Sequence, residues 1–183
     1  RGEIFDRNGI PLVTNEYSYN LIFDYASMPV YKDEFNRVIL QTLDILEKTG
    51  NTDIMTPDNF PLEGDYPNLE FSRDFLSYSS NLNKLKKMLT SFNMPETINS
   101  DQFVALLLKR YALADGNGKV LYTDKQTMQL LRLRYDMEYR KFSTVEPYIL
   151  ANNVDISLIT KLKELNIRGI STTKEVTRHF NFP

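Results

Sequence analysis

The spacing of hydrophobic residues changes twice along the chain. In YSYNLIFDY at 17–25, aromatic and aliphatic residues alternate with polar ones, which predicts a β-strand. From about residue 32 to 142, apolar residues recur every three or four positions, as they do on the buried face of an amphipathic helix. After Phe142 the pattern becomes short and extended again. We therefore expect β-rich chain ends on either side of a helical middle.

The first residues, RGEIFDRNGIPLVTN, predict a β-hairpin. A two-residue type I′ loop at Asn8-Gly9 would place Phe5 opposite Leu12 and Ile4 opposite Val13. Side chains alternate between the two faces of a strand, so both faces of this ribbon carry apolar groups. Each face should therefore be covered at least in part.

The middle of the chain predicts four helices. Their apolar positions lie at 35–46, 82–92, 103–111 and 131–139. Ser100 is expected to cap the third helix, and Thr123 with Gln126 has the spacing of a capping box for the fourth. The stretch 51–76 combines several prolines with Gly64 and many acidic residues, so we interpret it as a long irregular loop.

The segment 144–183 predicts a strand, a helix and a second strand. VEPYIL at 145–150 and the β-branched ISTTKEVTRHF at 170–180 are the expected strands. Asp155 can cap the helix between them, and Gly169 has the position of a glycine that ends it. The face of this helix would carry Ile159, Leu162 and Leu165.

Strands at the two ends of a chain often pair with each other. The predicted fold class is therefore α+β. A discontinuous β-rich subdomain would be built from residues 1–30 and 144–183, with a mainly helical head subdomain inserted at 31–143. The junctions near 26–31 and 141–146 would be natural hinges.

Composition excludes several kinds of site. The net charge of −2 does not favour binding to nucleic acid or to an anionic membrane. The chain has no cysteine, which excludes disulfides, thiolate catalysis and zinc–cysteine sites. Its single histidine, His179, cannot form a multi-histidine metal site, and no motif gives it a serine partner. We expect neither a metal nor a cofactor.

Three short strings have the form of a penicillin-reactive serine site. They are Ser171-Thr-Thr-Lys174, Ser18-Tyr-Asn20 and Lys48-Thr-Gly50. A nucleophilic serine needs its lysine one helical turn away, yet Ser171 lies in a β-branched stretch. The strings also occur in the wrong order along the chain. Chance matches are the better explanation.

Two other patterns also have a simpler interpretation. The turn DGNGK at 115–119 resembles half of a calcium loop, but Gln126 stands where the loop needs glutamate. Arg132 and Arg134 lie near Tyr135 on the fourth helix, as in some RNA-binding surfaces. A glycine-rich turn and a helix with a charged solvent face explain these patterns without a ligand.

The opening stretch carries a family resemblance. RGEIFDRNGIPLVTN resembles the R-G-x-I-x-D-R-N-G-x-x-L-A-x-N signature that follows the membrane anchor in class B penicillin-binding proteins. Val13 replaces the usual alanine. The matching residues are Arg1, Gly2, Ile4, Asp6, Arg7, Asn8, Gly9, Leu12 and Asn15.

The remainder of the chain is similar to the same family. VEPYILANNVDISLITKLKELNIRGISTTKEVTRHF resembles the return to the family's N-terminal pedestal, where the last strand ends R-x-Y-P. Arg178 and Phe180 correspond to that ending, and Asn181 stands where proline is usual. LLLKRYALADG and LLRLRYDMEYRKF are similar to helical insertions in elongation-type members from Gram-positive bacteria.

The resemblance implies a non-catalytic pedestal, also called the dimerisation domain, of a peptidoglycan D,D-transpeptidase. In the family, a transmembrane helix precedes the opening motif and a transpeptidase domain follows the last strand. The pedestal would position the catalytic domain on the extracytoplasmic face of the plasma membrane. The implied partners are its own transpeptidase domain, a SEDS-type glycosyltransferase and an MreC-family scaffold. Two alternatives stay open: a free-standing extracytoplasmic adaptor with a pedestal-like fold, and a serine enzyme that uses Ser171.

We assign the motif residues a structural role. Asp6 would accept charge-assisted hydrogen bonds from Arg1 and Arg7 and so lock the hairpin against neighbouring strands. The simpler alternative is a set of exposed turn charges that contribute at most ~1 kcal/mol. The residues assigned to this structural motif are Arg1, Gly2, Asp6, Arg7, Asn8, Gly9, Asn15 and Arg178.

Overall fold

The computed structural model describes residues 2–51, 55 and 59–180, with only the backbone of Glu16 and of 177–180. The strands are β1 (Ile4–Phe5), β2 (Pro11–Phe23), β3 (Leu62–Asp65), β4 (Asn68–Phe71), β5 (Tyr148–Ala151) and β6 (Ile170–Phe180). The helices are α1 (Lys32–Lys48), α2 (Arg73–Ser77), α3 (Ser79–Ser91), α4 (Ser100–Arg110), α5 (Asp124–Tyr139) and α6 (Ile156–Glu164). The fold class is α+β, as predicted.

The two ends of the chain form one antiparallel sheet. Strand β6 pairs with β2 along its whole length, from Val13 opposite Phe180 to Phe23 opposite Ile170. Strands β1 and β5 pair with the other edge of β2. The predicted pairing of the terminal strands is therefore confirmed. The division into subdomains at 1–30, 31–143 and 144–183 stays a prediction.

The first hairpin differs in register from the prediction. Ile4 pairs with Val13 as expected, but Phe5 pairs with Pro11 instead of Leu12. A three-residue loop replaces the predicted two-residue loop, and the extra residue produces an irregularity between Ile4 and Phe5. The side chain of Leu12 is exposed.

The predicted helices of the middle segment are confirmed as α1, α3, α4 and α5. Thr123 and Gln126 form the predicted capping box at the start of α5. The predicted cap of α4, Ser100, was wrong by one residue. Asn99 is the N-cap and accepts the hydrogen bond from the backbone N–H of Gln102, while Ser100 is already helical. The side chain of Gln102 returns a bond to the backbone of Asn99, so this helix also has a capping box.

The prediction of an irregular loop at 51–76 was wrong for most of the described residues. Strands β3 and β4 form a hairpin there, and α2 follows. Leu62 and Leu69 lie in the core, so this short hairpin is held by tertiary packing. Its strands are too short for a clear alternation of polar and apolar positions, and prolines flank and close the turn.

The return segment contains the predicted strand, helix and final strand with two corrections. Asp155 takes the N-cap position of α6, but its side chain makes no capping hydrogen bond with the described residues. Leu165 is exposed, and Asn166 adopts the left-handed conformation that ends the helix. Gly169 does not end the helix. It lies directly before β6 and packs so closely against Met28 that a Cβ atom at this position would overlap the Met28 sulfur.

A continuous apolar core connects the sheet with the helices. Its fully buried side chains include Leu21 and Phe23 from β2, Ile39 from α1, and Leu131 and Tyr135 from α5. None of the helices in the described part of the chain combines the length and the hydrophobicity needed to cross a bilayer.

A buried carboxylate also joins the helices to the sheet. Asp136 on α5 is 0% exposed. Its Oδ1 accepts hydrogen bonds from the backbone N–H of Asn59 at 2.8 Å and from Asn59 Nδ2 at 2.5 Å. Its Oδ2 accepts from the hydroxyl of Tyr148 on β5 at 2.6 Å and from Arg140 Nε at 2.8 Å. Asp136 therefore fixes α5 to the sheet and to the segment before β3.

Candidate interaction surfaces

The opening motif forms a turn in which the Asp6 carboxylate accepts hydrogen bonds from backbone N–H groups later in the turn. The N–H of Asp6 donates to the carbonyl of Ile10 at 2.8 Å, and the N–H of Gly9 donates to the carbonyl of Asp6 at 3.1 Å. Asp6 Oδ1 accepts from the N–H groups of Asn8 and Ile10, each at 2.8 Å. Gly9 has a φ of +79°, which glycine adopts at little cost. Asp6 and Gly9 are thus both needed for the shape of this turn.

The same turn occurs a second time, at 115–119. The N–H of Asp115 donates to the carbonyl of Lys119 at 2.9 Å, and the N–H of Gly118 donates to the carbonyl of Asp115 at 3.0 Å. Asp115 Oδ1 accepts from the N–H groups of Asn117 and Lys119, each at 2.9 Å. Both turns have the sequence D-x-N-G. This shared sequence predicts a shared turn, but we interpreted the two stretches separately and missed it.

The structure places the other motif residues around this turn and along the ribbon. Arg1 lies outside the described residues, and the ion pairs of the described residues do not include one between Asp6 and Arg7. Asn15 on β2 and Arg178 on β6 are cross-strand partners, so the two ends of the chain bring these motif positions together. The arginine lock of the hairpin stays a prediction.

Apolar side chains remain exposed along the ribbon of β1, β2 and β6. We call this set the ribbon patch, and its members are Ile4, Phe5, Ile10, Leu12, Tyr17 and Val176. Tyr17 is 55% exposed and Val176, its cross-strand partner, is 52% exposed. Lys174 Nζ lies 3.7 Å from the centroid of the Tyr17 ring. We expected both faces of the ribbon to be covered at least in part. Val13 is buried, but no part of the described chain covers the side chains of the ribbon patch.

The three serine-type strings do not assemble a nucleophile. Ser171 lies on β6 opposite Ile22, and Lys174 lies opposite Tyr19. Residues three apart on a strand point to opposite faces, so the sheet lies between the Ser171 hydroxyl and the Lys174 amine. In the ranges that the structure describes, no group of three acidic or histidine side chains is placed to hold a metal ion. His179 pairs with Thr14 through its backbone.

A cleft lies where the two predicted hinge segments meet the helices. Its volume is about 580 Å³, and we call it the hinge cleft. Its walls come from the segment after β2, the start of α1, the end of α4, α5 and the residues after α5. The residues that line it include Met28, Val30, Lys32, Phe35, Arg110, Tyr111, Arg134, Met137, Glu138 and Phe142.

Charged groups in this cleft have perturbed pKa values. Arg110 forms an ion pair with Glu138, and this hydrogen bonding raises the pKa of Arg110. Burial is the main cause that raises the pKa of Tyr111, and Glu138, which accepts from its hydroxyl at 2.9 Å, adds to the effect. Burial lowers the pKa of Arg134.

Sequence reasoning missed Arg134, because it assigned the charges of this helix to solvent. A usable signal exists, since Arg134 lies four residues after Leu130 and three residues before Met137, and both of those are buried. The helical period alone therefore places Arg134 on the inner face of α5. The same reasoning does not explain Asp136, whose partners come from distant segments.

Comparison with known proteins identifies a family for the whole chain. The family model described as the penicillin-binding protein dimerisation domain matches residues 1–183. The solved structure of penicillin-binding protein 2B from Streptococcus pneumoniae strain R6 is similar at 16% identity and a TM-score of 0.43, over 98% of this chain and 25% of that chain. The protein of strain 5204 gives 15% identity and a TM-score of 0.39, over 100% and 26%. No curated protein sequence matches. The chain spans about a quarter of the length of these solved chains.

Proposed function

Because the chain belongs to the penicillin-binding protein dimerisation domain family, we propose that it is the pedestal of a class B transpeptidase in peptidoglycan synthesis. This is a non-catalytic domain of penicillin-binding proteins, and no enzyme activity is expected from the chain. The match over all 183 residues is the observation that carries the proposal. The parent protein would be anchored by an N-terminal transmembrane helix and would work on the extracytoplasmic face of the membrane. The similarity of the helical segment to elongation-type members supports that role over a role in division.

The ribbon patch supports a docking role for the catalytic domain. Exposed apolar groups spread along one ribbon are typical of a surface that another protein covers. Strand β6 ends at Phe180 opposite Val13, beside the hairpin that carries Ile4, Phe5 and Ile10. A domain that follows residue 183 would therefore start next to the ribbon patch. We propose that the transpeptidase domain packs on this patch.

The complete open reading frame and a labelled β-lactam test the assignment. We expect an S-x-x-K, S-x-N, K-T-G series, in that order, downstream of residue 183. The full-length protein should bind the β-lactam covalently, and the 183-residue chain should not. A reading frame that lacks the series would favour the free-standing adaptor. Covalent labelling of Ser171 in the 183-residue chain would overturn the non-catalytic assignment.

Binding between the separately purified transpeptidase domain and this chain tests the docking surface. Tyr17→Ser removes a large group from the ribbon patch and should weaken binding about tenfold in calorimetry, as truncation of an interface aromatic does. Leu121→Ser is the matched control, because Leu121 is 58% exposed and lies outside the ribbon. Equal binding by the two variants would argue against the ribbon patch as the interface.

We also propose that cell-wall partners bind the helical head. The expected partners are a SEDS-type glycosyltransferase and an MreC-family scaffold, and exposed apolar residues of the head are the natural contact points. Tyr31 is 71% exposed and Tyr78 is 65% exposed. Tyr78→Ser in the full-length protein should reduce co-purification of the scaffold from membranes. Val145→Ser, at an exposed position outside the head, should leave it unchanged.

A further inference from the structure

The hinge cleft has an excess of positive charge. Its walls carry Lys32, Arg110 and Arg134 against one carboxylate, Glu138. Glu138 is already occupied, because Arg110 binds both of its oxygens and the hydroxyl of Tyr111 donates to Oε2. Lys32 Nζ donates to the backbone carbonyl of Arg110 at 2.8 Å, which leaves its charge without a counterion in the described part of the chain. Two positive charges are therefore not balanced within the cleft.

Arg134 is the cation that is placed to receive an anion. Its guanidinium lies 4.0 Å from the centroid of the Phe35 ring and 5.3 Å from that of Tyr111. Its one hydrogen bond to a described residue runs from Nη1 to Asn36 Oδ1 at 3.3 Å. Aromatic stacking fixes the guanidinium plane and leaves its edge for further bonds. A guanidinium has five N–H donors, so most of its hydrogen-bonding capacity remains open to the cleft.

This arrangement is costly without a ligand. Arg134 is half-buried, and burial lowers its pKa although the nearby Glu138 carboxylate opposes this effect; charges removed from water in proteins are normally paired with an opposite charge. The aromatic rings supply part of the compensation, as cation–π contacts do. A bidentate carboxylate would supply the remainder, since its two oxygens match the edge of a guanidinium.

The other walls of the cleft select the carbon skeleton of the ligand. Met28, Met137 and Phe142 present thioether and aromatic surface beside the cations. A volume of about 580 Å³ is in the range of small-ligand sites. A small inorganic anion would leave the apolar walls uncovered, whereas an organic acid with an apolar or aromatic group covers them and reaches Arg134.

We propose that the hinge cleft binds an organic carboxylate with an apolar or aromatic skeleton, and that Arg134 is its main cationic partner. This site is separate from the ribbon patch and does not depend on the proposed pedestal function.

Methionine methyl NMR on the 183-residue chain provides the test. The chain has six methionines, and only Met28 and Met137 are among the lining residues of the cleft, so the other methyl groups are internal controls. The probe is N-acetyl-L-phenylalanine, and N-acetyl-L-phenylalaninamide is its uncharged match. We expect saturable shifts of the Met28 and Met137 methyls with the acid. The amide should bind at least about tenfold more weakly, because it lacks the charge-assisted bonds.

Two pairs of variants locate the charge that binds the probe. Arg134→Gln should weaken binding of the acid about tenfold or more, while Arg132→Gln, at an exposed position of the same helix, should not. Val30 lines the mouth of the cleft and is 91% exposed, so changes there leave the fold intact. Val30→Asp should weaken binding of the acid, and Val30→Lys should strengthen it.

Acetyl-Phe-Asp-amide, with its carboxylate on a side chain, distinguishes the source of the ligand. Binding tighter than that of N-acetyl-L-phenylalanine indicates a polypeptide ligand, and weaker binding indicates a free acid. Equal affinity for acid and amide would overturn the proposal. The proposal would also be overturned if the acid shifted the methyl groups of other methionines in place of those of Met28 and Met137. The same holds if Val30→Asp and Val30→Lys changed the affinity for the acid in the same way.

Discussion

Replacement of Asp136 by asparagine should destabilise the chain strongly. The carboxylate is fully buried and accepts bonds at both oxygens, from Asn59 at Oδ1 and from Tyr148 and Arg140 at Oδ2. Asparagine keeps the shape of the side chain, but it replaces one oxygen by an NH₂ group, which can only donate. Whichever way the amide is turned, its NH₂ group faces at least one group that can only donate, either the backbone N–H of Asn59 or Nε of Arg140.

The size of the effect follows from the number of bonds lost. Hydrogen bonds to charged groups contribute about 1.5–3 kcal/mol each. The loss of at least one such bond, together with removal of the buried carboxylate that pairs with Arg140, predicts a decrease of about 3–5 kcal/mol in the free energy of unfolding. A chain of this size changes its Tm by about 2–4 °C per kcal/mol. We therefore expect Asp136→Asn to lower the Tm by about 6–20 °C.

Thermal and urea unfolding followed by circular dichroism measure this change. Asp44→Asn is the matched control, since Asp44 makes an exposed ion pair with Lys48 at 2.7 Å on α1. Exposed pairs of this kind contribute less than about 1 kcal/mol. If Asp136→Asn and Asp44→Asn lower the unfolding free energy by the same amount, the assignment of Asp136 as a structural link is wrong.

A double-mutant cycle separates the bond to Tyr148 from general damage to the core. Tyr148→Phe keeps the ring next to Phe23 and removes the hydroxyl that donates to Asp136. The two single changes should be non-additive, with a coupling energy of about 1 kcal/mol or more. Additive effects would show that Asp136 and Tyr148 do not act together.

Further changes test the turns and the buried hydroxyl groups. Asp6→Ala and Asp115→Ala should each lower the free energy of unfolding in urea by about 1 kcal/mol, because the two turns have matching bonds. A larger decrease for Asp6→Ala would instead support the arginine lock. Tyr135→Phe should leave the free energy of unfolding unchanged or raise it by about 1 kcal/mol, because the Tyr135 hydroxyl is buried and has no hydrogen-bond partner among the described residues. The Tm should stay the same or rise accordingly. The pKa of Tyr111 is raised above its ordinary 10.0, so its contribution to stability is complete below pH 10 and is lost as the pH rises further. Tyr111→Phe should therefore flatten the decline of Tm above pH 10, and an unchanged slope would contradict this reasoning.

The sequence predicts the long, regular elements of this fold well. Strand β2 alternates apolar and polar residues over 17–25, and α1 repeats the helical period from Phe35 to Leu46, so local pattern outweighs chance in both. Strand β6 is predicted by its many β-branched residues. The capping box at Thr123 is likewise visible because both partners lie within one turn. Pairing of β2 with β6 follows from the general tendency of terminal strands to be neighbours.

The elements that the sequence does not predict depend on distant partners. The hairpin of β3 and β4 is stabilised by burial of Leu62 and Leu69, which no local pattern records. The first hairpin has a longer loop than predicted because Asp6 adds side-chain bonds to the turn, and these favour three loop residues over two. The link at Asp136 needs Asn59 and Tyr148, which come from separate segments.

The repeated D-x-N-G turn changes the meaning of the opening motif. The turn at Asp115 has the same bonds as the turn at Asp6, yet it lies outside the motif and has glycine where the first has Arg7. Asp6, Asn8 and Gly9 are therefore explained by turn geometry alone, and Arg7 is not. The first turn differs from the second in its position, at the end of a ribbon whose apolar groups remain exposed. An exposed arginine beside such a surface has the composition of an interface rim, where positive charge orients a partner around an apolar centre. Arg7→Gln should consequently leave the Tm unchanged and weaken binding of the transpeptidase domain at low salt.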